Sequence, residues 1–175
     1  MEIWDVYDKD RNFTGKVISR NGKQDLKKGE YGLVAHVAIF NDKNEMLIQK
    51  RQASKQKFPN LWDITAGGHS ISGETSQETI ERELWEELGY RHDFSDVRSH
   101  LTVNSERDFG DVYIINDVDI DLNDLKIQVE EVQSVTWATK EEILQLIEEK
   151  KFINYCPGFI ELLFFMKEIR GVMIR

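Results

Sequence analysis

Residues 67–90 read GGHSISGETSQETIERELWEELGY, and this stretch constrains the chain more than any other. Thr75 and Glu78 have the spacing of a capping box, and Gly89 suits a helix C-terminus, so a helix is predicted from Thr75 to Leu88. At about 100° per residue, Ile80, Leu84 and Leu88 form a buried stripe. Glu83, Glu86 and Glu87 fall in an arc of about 100° beside it. Like charges at this spacing repel by roughly 0.2–0.5 kcal/mol per pair. The one basic residue of the helix, Arg82, has Glu78 four positions before it. An ordinary solvated acidic face is the alternative, but three features oppose it. The acids sit at the core edge, they have few positive neighbours, and they follow a Gly67-Gly68 turn and another acid, Glu74. Gathered carboxylates on a rigid element suit Mg²⁺ or Mn²⁺, and such ions complete their shell with substrate phosphates.

The chain has 175 residues, a length that suits one domain spanning residues 1–175. Its net charge of −9 argues against a nucleic-acid partner, which needs a basic face. A polyanionic small molecule can still bind if metal ions bridge the two. No apolar run approaches the ~18–20 residues of a membrane span, and MEIWDVYDKD lacks the features of a targeting segment, so a cytoplasmic location is expected. A single cysteine, Cys156, excludes an internal disulfide and a cysteine-rich metal site, and is expected to be a small buried hydrophobe.

EIWDVYD and FTGKVIS alternate as strands do and form an N-terminal strand extension, residues 1–28. YGLVAHVAIF and EMLIQKR are predicted strands joined as a hairpin by NDKN. Residues 58–73 are expected to be mostly loop, with a short strand at WDITA. Strand-like runs follow at DVRSHLTVNS, DVYIINDV and VQSVTWAT. Thr139 and Glu142 open a second helix. Pro157 starts a last one, residues 157–170, with Phe159, Leu162, Leu163, Met166 and Ile169 as its buried stripe. The expected class is α+β, a mixed sheet packed between helices.

The segment from Gly68 to Tyr90 resembles the Nudix box, Gly-x5-Glu-x7-Arg-Glu-U-x-Glu-Glu-x-Gly-U, with U an aliphatic residue. Gly68, Glu74, Arg82, Glu83, Leu84, Glu86, Glu87 and Gly89 match, and Tyr90 departs at a packing position. The resemblance implies an α/β/α sandwich and Mg²⁺- or Mn²⁺-dependent hydrolysis of an organic diphosphate. It implies that Glu83, Glu86 and Glu87 are metal ligands and that Glu74 supports the loop or joins the metal cluster through water. Arg82 would orient the carboxylates by charge-assisted bonds, and Gly68 would permit close backbone approach. Family habit and the aromatic-rich ends suggest a homodimer.

WDVYD, LIQKR and LWDITAGGH resemble the branch containing type I isopentenyl-diphosphate isomerases. That enzyme needs a cysteine where this chain has Gly67, and a strand histidine where it has Gly32. Its downstream glutamates align with Phe109 and Asp111, and of its metal-site residues His69 alone is retained. Hydrolysis is therefore expected over isomerisation. The Nudix resemblance also implies a general base or an extra metal ligand from a later loop, for which Glu130 and Glu131 are the candidates. Lys50, Arg51 and Lys55 are candidate phosphate contacts, and Gly67, Gly68 and His69 candidate substrate contacts. His36 is expected to be a core histidine. Trp4 and Tyr7 could stack on a base or prenyl group.

Overall fold

The computed structural model describes residues 2–19, 26–169 and 173. Residues 1 and 20–25 of the expected N-terminal extension, and residue 170 of the expected last helix, lie outside the described residues.

The N-terminal pattern yields an antiparallel hairpin of β1 (Ile3–Tyr7) and β2 (Phe13–Ser19). Its inward side chains Trp4, Val6 and Ile18 pack with Leu26 into a small core of their own. A mixed four-stranded sheet follows, in the order β6-β3-β8-β7. Within it β3 (Gly32–Ile39) runs parallel to β8 (Asp108–Ile115) and antiparallel to β6 (Ala66–His69), and β7 (Leu101–Asn104) runs antiparallel to β8. A second, antiparallel sheet has the order β5-β4-β9, built from β5 (Trp62–Asp63), β4 (Met46–Arg51) and β9 (Val132–Ala138).

Both faces of β3 are covered, which is why its sequence is apolar at nearly every position instead of alternating. Ala35, Val37 and Ile39 face α1 (Ser76–Leu88), whose Ile80, Leu84 and Leu88 have no exposed surface. Each such side chain contributes roughly 1.5–3 kcal/mol by leaving water. Ala38, Phe40 and Val112 face the opposite core, closed by α2 (Lys140–Glu148) and α3 (Pro157–Met166). Helices thus lie on both sides of the sheets, the sandwich expected from the sequence.

Several local expectations are corrected. β3 and β4 do not form a hairpin: beyond the turn they meet only at the Phe40–Met46 bridge, and β4 continues in the second sheet. Alternating hydrophobicity reports a strand but not its partner. Gly67 and Gly68 lie in β6, not in a loop, and WDITA divides between β5 and β6. The buried stripe of α3 is Ile160, Leu163, Phe164 and Met166, while Phe159, Leu162 and Ile169 are only partly buried. The helix ends at Met166. Cys156 is exposed at the N-cap of α3, where the chain turns before Pro157, and is not a buried hydrophobe.

Candidate active site

The capping box and left-handed Gly89 form as expected, so α1 has fixed ends over the sheet. Its acidic residues then separate by environment. Glu87 is 6% exposed, Glu83 is partly buried and Glu86 is exposed. On β6, Gly68 faces α1. A Cβ on Gly68 would lie 2.2 Å from Glu83 Oε1, so only a glycine lets this carboxylate rest against the strand.

Arg82 organises the neighbouring acids. Its Nε and Nη2 donate to the two oxygens of Glu74, at 2.8 and 3.0 Å. Nη1 donates to Glu83 at 2.8 Å and to Glu86 at 3.1 Å, and Nη2 also donates to the His69 carbonyl at 3.1 Å. Burial opposes the Arg82 charge, but Glu74 and Glu83 outweigh it and raise its pKa above the usual value. The expected Arg82–Glu78 pairing does not occur, because Glu78 turns back to cap Thr75. Glu74 also accepts from Ile71 N and Thr79 Oγ1, which ties the loop to the helix.

Glu87 is different. Its carboxylate accepts a hydrogen bond from Gln49 Nε2 at 2.9 Å, and among the described residues no basic side chain forms an ion pair with it. Burial, and then the adjacent Glu83, push its pKa up to about 8, while Gln49 opposes the shift and Asp63 and Glu131 add to it. A buried carboxylate among other negative charges is a poor resting state and a good ligand for a hard cation. The donor set therefore fits a divalent ion. Among the described residues no three acidic or imidazole side chains already stand together at ligating positions. Arg82 holds Glu83 and Glu86, while Gln49 holds Glu87.

The candidate phosphate contacts divide. Arg51 Nη1 reaches Asp63 Oδ2 at 3.4 Å, and Asp63 is the cross-strand partner of Gln49, so the guanidinium lies on the Gln49 face, whereas Lys50 pairs with Trp62 on the other. Lys55 forms an ion pair with Glu131, the two residues that the sequence assigned to separate roles. Glu130 is exposed in the turn before β9.

A second polar group lies on the opposite face of β6 and β3. Trp4 stacks on His69, rings 4.0 Å apart and 9° from parallel, and His69 Nε2 lies 3.6 Å from Asp108 Oδ1. Tyr7 instead packs edge-on to Phe13. The strand register pairs Gly32 with Asp108, so Asp108 lies on the face of His36 and His69. Phe109 and Asp111 have the alternate orientations, and Asp111 is bound by Arg11. A side chain at Gly67 would meet His36 Nδ1 at 2.3 Å and the Ala35 carbonyl at 2.7 Å, so this strand cannot hold a thiol without rearrangement. His36 is partly buried, and burial followed by His69 pushes its pKa down to about 4.

Sequence reading missed Gln49, Asp63 and Asp108, because their roles come from strand register. The nearest sequence signal was polar residues inside otherwise apolar strands.

Comparisons with known proteins bear on the family and the fold. The family signature described as NUDIX domain matches residues 30–156. The chain is 44% identical to an uncharacterized Nudix hydrolase of Listeria monocytogenes over 167 residues, 95% of this chain and 96% of the relative. It is 28% identical to an isopentenyl-diphosphate delta-isomerase of Gibberella zeae over 159 residues, 77% of this chain and 60% of that protein. A crystal structure of a Deinococcus radiodurans protein superposes with a TM-score of 0.73 at 22% identity, covering 93% of this chain and 97% of that one. Among the described residues no helix is long and apolar enough to cross a membrane.

Proposed function

This chain belongs to the Nudix family, and from that premise we propose that it hydrolyses the diphosphate linkage of a small organic diphosphate such as a nucleoside diphosphate derivative. In this reading Glu83, Glu86 and Glu87 hold Mg²⁺ or Mn²⁺. The observation that carries it is buried Glu87, held by Gln49 and set beside Glu83 without a basic partner among the described residues.

A bound divalent ion supplies Lewis acidity toward the phosphoryl oxygens and a lowered pKa for water. The chain's own residues supply position. Arg82 fixes Glu83 and Glu86 relative to Glu74, and Gln49 fixes Glu87. Gly68 leaves the space that Glu83 occupies. Arg51 reaches the same face and supports binding of the diphosphate; Gly68 adjoins it on β6, whereas Gly67 and His69 face the other side of that strand and are not part of this site. Glu131 is the proposed general base, which requires it to exchange Lys55 for substrate or water.

The isomerase alternative is weakened by Gly67, where a thiol would collide with His36. The outward apolar residues of the hairpin, Ile3, Phe13 and Val17, support dimerisation, which light scattering of the purified protein tests.

The deciding experiment is phosphate release from a panel of nucleoside and prenyl diphosphates, with Mg²⁺, with Mn²⁺ and with chelator. Metal-dependent release from at least one substrate is expected. Metal-dependent binding without turnover across the panel would replace hydrolysis with ligand sensing.

A further inference from the structure

We propose that Asp63 and Tyr155 act as a positioning pair, holding the Arg51 guanidinium on the carboxylate face so that it can receive the substrate's diphosphate. The inference rests on the reading that Arg51 binds that group.

Strand register places these residues. Asp63 on β5 is the direct cross-strand partner of Gln49 on β4, and Gln49 donates to Glu87. Cross-strand partners share a face, so Asp63 stands beside the carboxylate cluster. Pairing with β9 shifts register between Lys50 and Arg51, but the Arg51 backbone N–H still donates to the Leu61 carbonyl at 2.9 Å and its guanidinium reaches Asp63, which brings it to that same face.

Arg51 and Asp63 are held very differently. The Arg51 side chain is largely buried, yet its contacts are long: Nη1 to Asp63 Oδ2 at 3.4 Å and Nη2 to the Lys57 carbonyl at 3.3 Å. Charge-assisted bonds are usually about 2.7–2.9 Å. Its Nε is buried with no hydrogen-bond acceptor among the described residues. This guanidinium has donors in reserve. Asp63 has fixed geometry instead. Its Oδ1 accepts from Ile64 N at 2.8 Å and from Tyr155 Oη at 2.9 Å, which leaves Oδ2 turned to Arg51. Tyr155 is wedged against Phe159, ring centroids 5.3 Å apart, at the entry to α3. A long arginine near several carboxylates could fold onto any of them. An anchored Asp63 restricts it to one orientation, and a planar fork must be oriented to take a diphosphate in two-point contact.

A charge argument gives the test its sign. If Asp63 were only a nearby negative charge, neutralising it would strengthen anion binding. If it positions Arg51, neutralising it weakens binding. Calorimetry with imidodiphosphate, a non-hydrolysable P–N–P diphosphate, in the presence of Mg²⁺ measures this directly. Asp63→Asn should weaken binding roughly 3- to 10-fold, and Tyr155→Phe should act in the same direction but less. Arg51→Gln should weaken it by at least about 10-fold, and the Arg51→Gln/Asp63→Asn double variant should be no weaker than Arg51→Gln alone.

Unchanged or tighter binding by Asp63→Asn, with Arg51→Gln impaired, overturns the positioning role. So does a further loss when Asp63→Asn is added to Arg51→Gln, because Asp63 would then act on the ligand itself. Full binding by Arg51→Gln, or none by the parent protein, overturns instead the reading on which the inference rests. Should Asp63→Asn fail to fold, Tyr155→Phe decides, and parent-like binding by that variant overturns the pair.

Discussion

The carboxylate of Glu83 rests against the backbone of Gly68, where a Cβ would stand 2.2 Å from Oε1 and 2.4 Å from Cδ. The space a methyl group would need at residue 68 is filled by a proposed metal ligand. Gly68→Ala should therefore leave the strand intact, because the obstructing atoms are the end of a flexible side chain. The Glu83 carboxylate should move by about an ångström. Displacements of that size cost up to ~10²-fold in rate. We expect turnover at least about tenfold below the parent, with a melting temperature within a few degrees. Thermal melts beside one turnover assay check this, and a parent-like rate would separate Glu83 from the chemistry.

Glu87 gives a prediction of opposite sign with and without metal. Its pKa rises from 4.5 to about 8 on folding, because burial and Glu83 disfavour the charged form. Between those values the folded protein holds a proton that the unfolded chain has released, so metal-free stability falls as pH rises through this window. Glu87→Gln should flatten that fall and leave the variant more stable than the parent above pH 8 in chelator. Mg²⁺ should then raise the parent's melting temperature more than the variant's, since a ligand stabilises the state it binds. Turnover should drop at least ~100-fold, about 3 kcal/mol at the transition state. A variant less stable than the parent in chelator would mark Glu87 as a structural acid.

His36 should contribute to acid lability. Its folded pKa of about 4 lies below the ordinary 6.5, so between these values the unfolded chain binds the extra proton. Stability should fall as pH drops through that window, by up to ~1.4 kcal/mol per unit from this one group. His36→Gln should remove this part of the slope, measurable as denaturant midpoints from pH 7 to pH 4. An unchanged slope would mean that imidazole burial is relieved in solution.

Arg11 at the hairpin turn is bound to Asp111, which is 2% exposed and also accepts from Thr102 Oγ1 at 2.6 Å. Burial alone would raise the Asp111 pKa, but Arg11 and Thr102 hold it below the ordinary carboxylate value. Arg11→Met leaves that charge buried without its cation, at a cost of about 3–5 kcal/mol. Urea denaturation at pH 7 should show the loss, and it should shrink as pH falls and Asp111 takes up a proton. A loss below ~1 kcal/mol would mean that the hairpin tip is not held by this pair.

Cys156 is exposed at the start of α3, and the proposed chemistry does not use it. Cys156→Ala should keep kcat/KM within a few-fold of the parent. Lost activity in a stably folded variant would revive a thiol-dependent reaction.

Residues that act within one helix are legible in the amino-acid order alone. The Thr75–Glu78 capping box, the Ile80–Leu84–Leu88 stripe and the arc of Glu83, Glu86 and Glu87 follow from a period of 3.6 and local hydrogen bonding. For the same reason the acidic helix is where the proposal of a metal-dependent diphosphate chemistry begins.

What crosses between elements was decided only by tertiary structure. Gln49 reaches Glu87, Asp63 reaches Arg51 and Asp108 faces Gly32 through strand register, and β4 leaves β3 for another sheet. Sequence determined which residues could be charged, apolar or turn-forming within each element. It could not determine which carboxylate is buried, because burial depends on which distant strand lies across from it, and that separates Glu87 from Glu86 one residue away.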